Sequence, residues 1–253
     1  MTDLQDRIAQ LEAELAAQRR EMQEFTSAVS HELRAPLRHI VSYAALVKED
    51  AGLQLGVQVL GFLDTISGSA SRLGLMLDGL LALSRVGAVV LAVQPVSLQK
   101  LVEDITTDLS NRNPHQAISW KLADDLPMVM ADPALLRLAL ESVLDNAVKF
   151  SRLQDVARVG VVAVMDATNR QITLRVQDNG VGFSPAGQSG LMKPSFMQPF
   201  VRLHSRTQFD GLGVGLALAS KAMRRMGGQL TMDAVVAATV VEGCCVTFTG
   251  LRY

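Results

Sequence analysis

The stretch AVSHELRAPLRHI, residues 28–40, has the apolar spacing of an amphipathic helix, yet it sets His31 beside Glu32 and places Pro36 four residues after that glutamate. Proline has no N–H to donate, and its ring crowds the carbonyl four residues back. The sequence therefore predicts a helix kinked beside the histidine. At about 100° per residue, His31 lies roughly 200° from both Val29 and Leu33, so its ring points away from the apolar stripe. A lone histidine on a helix is ordinarily an idle surface residue. An outward imidazole beside a carboxylate is also a nucleophile with its base. A neutral imidazole has a lone pair to offer, and Glu32 can take its proton or fix its tautomer.

Toward the N-terminus, Leu4, Ile8, Leu11, Leu15, Gln18, Met22, Phe25 and Val29 recur in steps of four and three, a heptad register with one polar layer. This predicts a coiled coil running into the quoted stretch; a single amphipathic helix packed on its own domain is the plainer alternative. Toward the C-terminus the stripe continues through Leu33, Leu37, Ile40, Ala44 and Val47 and stops at EDAGLQLG. A second helix follows, with Val59, Phe62, Ile66, Leu73, Leu77 and Leu80 on one face, and it ends near SRVGA. Two long helices joined by a short loop form a hairpin. One hairpin cannot bury its whole stripe, so two chains are expected to pair as a four-helix bundle.

Composition excludes several classes. Net charge is −1 across 253 residues, with no basic excess to suit a nucleic-acid partner. The longest apolar run, Val86–Val93, is far short of the roughly 20 residues of a membrane span, and the charged N-terminus has no signal-peptide core. The two cysteines, Cys244 and Cys245, are adjacent, where a bridge would be strained and no metal-ligand spacing exists. A disulfide-free cytoplasmic protein is the expectation.

After Gly87 the pattern changes to that of a mixed α/β domain. AVQPVSLQKLVEDITTDLS reads as linker then helix, with Ser97 as cap, and AISWKL and MVMAD as short strands. PALLRLALESVLDNAVKF reads as a helix opened by Pro133 after Asp132. ARVGVVAVMD and QITLRVQD alternate as strands around the turn residues ATN. Asn179 to Asp210 is too long and weakly patterned for an ordinary loop and is expected to be a functional lid. VGLALASKAMRRM reads as a helix, and GQLTMD and CCVTFTG as closing strands.

Three constellations in this domain carry chemistry. In SVLDNAVKF, residues 142–150, Ser142, Asn146 and Lys149 fall at i, i+4 and i+7, a polar line on an apolar helix. An Asn oxygen is a hard ligand suited to Mg²⁺, and Lys149 offers a point charge to phosphate; a solvated helix face is the plain reading. In DNGVG, residues 178–182, Asp178 could accept from an exocyclic amine such as that of adenine, while Gly180 and Gly182 let the chain pass close to a ring; Asn-Gly is also an ordinary turn signal. In GLGVGLALASK, residues 211–221, three alternate glycines open a helix whose first amides can bind phosphate. The spacing is not the dinucleotide fingerprint, and the preceding HSRTQFD is no strand.

In this order and spacing the pieces resemble a sensor histidine kinase of two-component systems, over nearly the whole chain. FTSAVSHELRAPL is similar to that family's H box, LDNAVKF to its N box, DNGVG to its G1 box, FMQPF to its F box and GLGVGLAL to its G2 box. PLRHIVSYAALV, LLALSRVG and PFVRLHSRTQFDG further resemble the phytochrome-type branch. The resemblance implies an all-α hairpin, dimeric as a four-helix bundle, followed by an α/β two-layer sandwich of the Bergerat ATP-binding type. It implies a coiled-coil signalling helix over 1–24, a dimerisation and phosphotransfer domain over 20–87, a linker over 88–96 and a catalytic domain over 97–253. His31 would take the γ-phosphoryl of ATP with Glu32 as base, and Asn146 would ligate Mg²⁺. Lys149 would meet phosphate and Asp178 would read adenine. Gly180, Gly182, Gly211, Gly213, Gly215 and the F-box Phe196 and Phe200 would border the nucleotide. The implied partners are a second copy, an upstream sensor domain or protein, and a response-regulator receiver whose aspartate accepts the phosphoryl group.

Three positions depart from the family's pattern. Ser142 stands where Asn is usual and is a weaker Mg²⁺ ligand; Glu141 lies about 100° round the helix. Leu212 stands where Thr or Ser is common. Ala35 stands where Thr or Asn orients water, which implies weak phosphatase activity. Two alternatives remain: a pseudokinase scaffold that only binds regulators, and an ATP-driven clamp of the same superfamily. The clamp would need Glu at position 142 to activate water, and it has no use for the histidine-bearing hairpin.

Overall fold

The computed structural model describes residues 2–183, 197–205, 208–237 and 240–253. The chain divides into two compact units, Met1–Val89 and Val90–Tyr253.

The first unit is a helical hairpin, α1 (Thr2–Ala51) and α2 (Val57–Ala88), turned by the short loop at Gly52–Gly56. α1 continues through Pro36 as one helix rather than ending there. Proline forfeits a single hydrogen bond to the Glu32 carbonyl, and the packing of α2 alongside outweighs that loss. Lys48 reaches Asp64 at 2.6 Å and Arg34 reaches Asp78 at 2.7 Å, tying the helices along their rims. Among the described residues, those buried in this unit are small or lie near its C-terminal end: Ser30, Ala44, Ala70, Leu81, Leu83 and Val86. The expected stripe lies open. Phe25, Val29, Leu33, Ile40, Phe62, Ile66, Leu73 and Leu80 are all exposed in the single chain.

The second unit, among its described residues, is a seven-stranded sheet with three α-helices. Its elements are β1 (Gln94–Ser97), α3 (Leu98–Arg112), β2 (Ile118–Leu122), β3 (Met128–Ala131), α4 (Pro133–Phe150), β4 (Ala157–Asp166), β5 (Gln171–Asp178), α5 (Gly215–Arg225), β6 (Gln229–Ala237) and β7 (Val240–Arg252). The strand order is β1-β3-β7-β5-β4-β2, with β6 also paired to β7. The sequence takes 88–96 as linker throughout; the structure instead starts a strand at Gln94, antiparallel to β3. Pro95 hides it, because proline in a strand survives only where no ladder donor is needed, as at this sheet edge.

Local chemistry sets the boundaries. The Ser97 hydroxyl accepts from the Lys100 amide at 3.3 Å and caps α3. Asp132 caps α4 through the amides of Ala134 and Leu135, just ahead of Pro133. Asp166 gathers the Thr168 and Asn169 amides and turns β4 into β5. One face of the sheet is covered, and the core there joins Val102, Ile105 and Leu109 of α3 to Leu136, Leu140 and Leu144 of α4. Ile172, Leu174, Met223 and Phe248 complete it. This core holds the C-terminal end of α4 against the end of β5.

Candidate active site

α4 buries Val143, Leu144, Ala147 and Val148. That leaves Ser142, Asn146 and Lys149 on its remaining stripe, where all three line a cavity of about 330 Å³. The glycine run at the start of α5 lies against this stripe. A Cβ on Gly215 would stand 3.5 Å from the Asn146 Nδ2, and one on Gly211 would stand 3.3 Å from the Lys149 Nζ. α5 has no acidic residue in its first turn and no side-chain cap. Its leading amides therefore remain free for an anion.

At another part of the wall stands Asp178. Its Oδ1 accepts from the Gly180 amide at 2.9 Å and from the Cys244 amide at 3.2 Å. Burial pushes its carboxyl up to about 6, against the pull of those two amides. The cavity thus pairs a carboxylate with a cationic region supplied by Lys149 and Arg202. Burial lowers the Lys149 pKa, Asp145 opposes that effect, and Arg202 and Arg152 reinforce it. Its Nζ sits 4.5 Å from the centre of the Phe150 ring. Asp145 and Asp210 also line the cavity, so Lys149 and Arg202 stand among carboxylates as the cations an anion would meet.

Of the residues singled out by sequence, Asn146, Lys149, Asp178, Gly182, Gly211, Gly213 and Gly215 all border this cavity. Gly180 and Phe200 do not, and each supports the wall instead. Gly180 donates its amide to Asp178, and a side chain there would strike the Phe150 carbonyl at 2.6 Å. Phe200, with φ at +67°, donates its amide to the Gly213 carbonyl at 2.9 Å and so fixes the glycine turn. Of the expected lid, residues 184–196, Phe196 included, lie outside the described residues. His31 and Glu32 belong to the first unit. Both are exposed, 84% and 85%, with the His31 Nδ1 3.7 Å from the Glu32 Oε1.

The cavity also contains residues the sequence pattern does not mark. His204, which reads as a loop residue, packs against both Phe150 and Phe209 in a cluster of three tilted rings, with ring centres 5.3 and 5.5 Å away. Its pKa is lowered, chiefly by burial, although its ring hydrogen-bonds the Gly182 backbone. Arg202 donates to the carbonyls of Ser205, Phe209 and Gly211, stitching the chain ahead of α5. Cys244 reaches the cavity because β7 lies next to β5; burial pushes its thiol far up, so it is no nucleophile. Glu141 is held at 2.6 Å by Arg112 and does not line the cavity.

The donor set suits a hydrated hard cation shared with a phosphate ligand. Asn146 and Ser142 offer neutral oxygens, and among the described residues no cluster of three or more His, Cys, Asp or Glu forms a closed cage.

Two family models match. Residues 131–251 match the histidine kinase-, DNA gyrase B- and HSP90-like ATPase family, and residues 21–89 match the His Kinase A phospho-acceptor domain. The chain therefore resembles the sensor histidine kinases in both of its units. The first match spans the whole cavity, and the second contains His31. Among curated relatives, cyanobacterial phytochrome B of Nostoc is 29% identical over 96% of this chain and 31% of its own length. The methanogenesis regulatory histidine kinase FilI of Methanothrix harundinacea is 28% identical over 98% of this chain and 26% of its own. The chain therefore spans a third or less of these relatives. In fold it is similar to full-length ShkA, solved in complex with AMPPNP, at a TM-score of 0.60, 24% identity, and coverage of 90% of this chain and 46% of that one. Among the described residues no helix is long and apolar enough to cross a membrane.

Proposed function

We propose that the chain is an ATP-dependent histidine kinase that phosphorylates itself on His31 and passes the phosphoryl group to an aspartate of a response regulator. The observation that carries this reading is the pairing of two things in one chain: an exposed imidazole–carboxylate pair on a phospho-acceptor helix, and a cavity with a carboxylate and a lysine on its walls. ShkA, similar in fold, was solved with AMPPNP, an ATP analogue, and this supports the choice of nucleotide.

The residues divide the work. Asp178 accepts from the adenine amine, and the hydrophobic walls take the ring. Lys149 and the first amides of α5 would meet the phosphates, while Asn146, with Ser142 beside it, would hold the Mg²⁺. That ion, when bound, neutralises phosphate charge and orients the γ-phosphoryl group. Glu32 faces Nδ1 of His31, so the tautomer with Nδ1–H leaves the Nε2 lone pair free. Nε2 attacks the γ-phosphorus, the bond to the bridging oxygen breaks, ADP departs, and the Nδ1 proton passes to Glu32. Most of the catalysis is positioning and charge neutralisation.

A second copy covers the open stripe of α1 and α2, giving the four-helix bundle, and a sensor domain or protein drives it through the heptads ahead of His31. The cytoplasm is its compartment. Incubation with γ-labelled ATP tests the reading. Acid-labile, base-stable label that vanishes in His31→Gln supports it. Steady phosphate release without labelled protein contradicts it in favour of an ATP-driven clamp, and neither outcome contradicts it in favour of a scaffold.

A further inference from the structure

We propose that Gly243 is a positioning residue for base recognition: its missing side chain lets β7 cross against the end of β5, which brings the Cys244 amide onto the Asp178 carboxylate. The proposal rests on the nucleotide reading above and explains how its base-reading group is held.

The β5–β7 ladder has its last pair at Gln177 and Cys245. One step further the two backbones close in. A Cβ on Gly243 would overlap the Asp178 carbonyl oxygen outright, and would stand 2.8 Å from its carbonyl carbon and 3.1 Å from the Asn179 Cα. These are backbone atoms at the turn that opens DNGVG, so no rotamer change relieves the clash. Gly243 is buried, and its φ of +146° is a conformation that L-residues rarely adopt. Space and backbone angle independently require glycine.

What that close approach secures is a hydrogen bond. The Cys244 amide donates to Oδ1 of Asp178 at 3.2 Å, beside the Gly180 amide at 2.9 Å. Both donors take the same oxygen, which fixes the plane of the carboxyl group and leaves Oδ2 unused by either. They also favour the ionised form, offsetting part of the burial that pushes this carboxyl up. The donor is backbone, so the identity of residue 244 matters little and that of residue 243 matters greatly. Displacing β7 would leave a buried carboxylate with one support, free to turn and more readily protonated.

The test compares ATP with inosine triphosphate, which lacks the exocyclic amine, by equilibrium binding to the full chain with Mg²⁺. Wild type should prefer ATP by about 10- to 100-fold, the loss expected when a charged acceptor loses its donor. Gly243→Ala should reduce that preference to roughly 3-fold or less, mainly by weakening ATP, and should add little in the Asp178→Asn background, because both changes act on one group. A folded Gly243→Ala that keeps the wild-type preference, or whose effect adds fully to that of Asp178→Asn, overturns the proposal. A wild type that binds neither nucleotide overturns the nucleotide reading, and the proposal with it. Should Gly243→Ala not fold, ¹⁵N-cysteine labelling decides, since the chain has 2 cysteines. Replacing Asp178 with Asn should move the amide signal of Cys244 strongly and that of Cys245 weakly; two unmoved signals overturn the proposal.

Discussion

The helical hairpin and the α/β unit treat their apolar and reactive groups in opposite ways. In the hairpin the large apolar side chains face out, Phe25 at 65% and Phe62 at 58% exposure, and so does the candidate acceptor His31. In the α/β unit the largest core side chains, among them Phe209, Phe248 and Met223, are fully buried, and the candidate base-reading group Asp178 is itself 8% exposed and braced by two amides. On the proposed reading, selectivity resides in the α/β unit. The hairpin builds no pocket around His31 and leaves its ring to whatever is brought to it. The α/β unit spends stability on a desolvated carboxylate and gains discrimination. The hairpin leaves its apolar stripe uncovered in the single chain, whereas the other unit has a buried core of its own.

The contrast breaks most completely at His31. His31→Gln should abolish protein labelling from γ-labelled ATP while leaving nucleotide affinity within about 2-fold, measured side by side on one preparation; a parallel loss of affinity would mean the two units are not chemically separate. Next in size is the open stripe. Phe62→Glu should raise the dimer dissociation constant by about 100-fold or more, since burying a Phe contributes roughly 1.5–3 kcal/mol and the pairing uses it twice. Analytical ultracentrifugation reads this, and melting of the α/β unit should not change.

Asp178→Asn comes third, with ATP affinity falling about 10- to 100-fold. Its pH dependence has a definite sign. With the folded carboxyl at about 6, the acceptor is ionised above that value and protonated below it. Wild-type affinity should fall as pH drops through 6 relative to the flat variant. Stability moves the other way. A carboxyl raised from 3.8 to about 6 favours the folded state fully below 3.8, and that contribution is lost as pH rises through about 6. The Asn variant should therefore be more stable than wild type near pH 7.5, by up to about 2 kcal/mol in denaturant unfolding. Smaller effects sharpen the picture. Ser142→Asn should strengthen Mg²⁺-dependent ATP binding by about 3- to 10-fold, because an amide oxygen is added beside Asn146. Ser97→Ala should cost the α/β unit about 1 kcal/mol through loss of the α3 cap and leave dimerisation unchanged.

The sequence reached furthest where chemistry is local. The Asp132–Pro133 start of α4 and the turn between β4 and β5 each depend on residues within one turn of helix or loop, and each lies where the sequence predicts. The line Ser142, Asn146, Lys149 was legible for the same reason, since helical geometry alone puts the three on one side. What escaped depends on sheet order. β5 and β7 lie far apart in the chain, so nothing local says that Cys244 would donate to Asp178 or that Gly243 must make room. His204 and Arg202 reach the cavity through contacts with α4 and the glycine turn, and Arg202 acts through backbone carbonyls, which leave no trace in side-chain pattern. Pro95 concealed β1 because an edge tolerates what a central strand does not.

The most direct measurement is to locate the phosphoryl group by mass spectrometry at neutral pH after incubation with ATP and Mg²⁺. The expected result is one phosphate, on the imidazole of His31. A phosphate on any other side chain, or ATP turnover with His31 unmodified, would contradict the assignment of this helix as the acceptor.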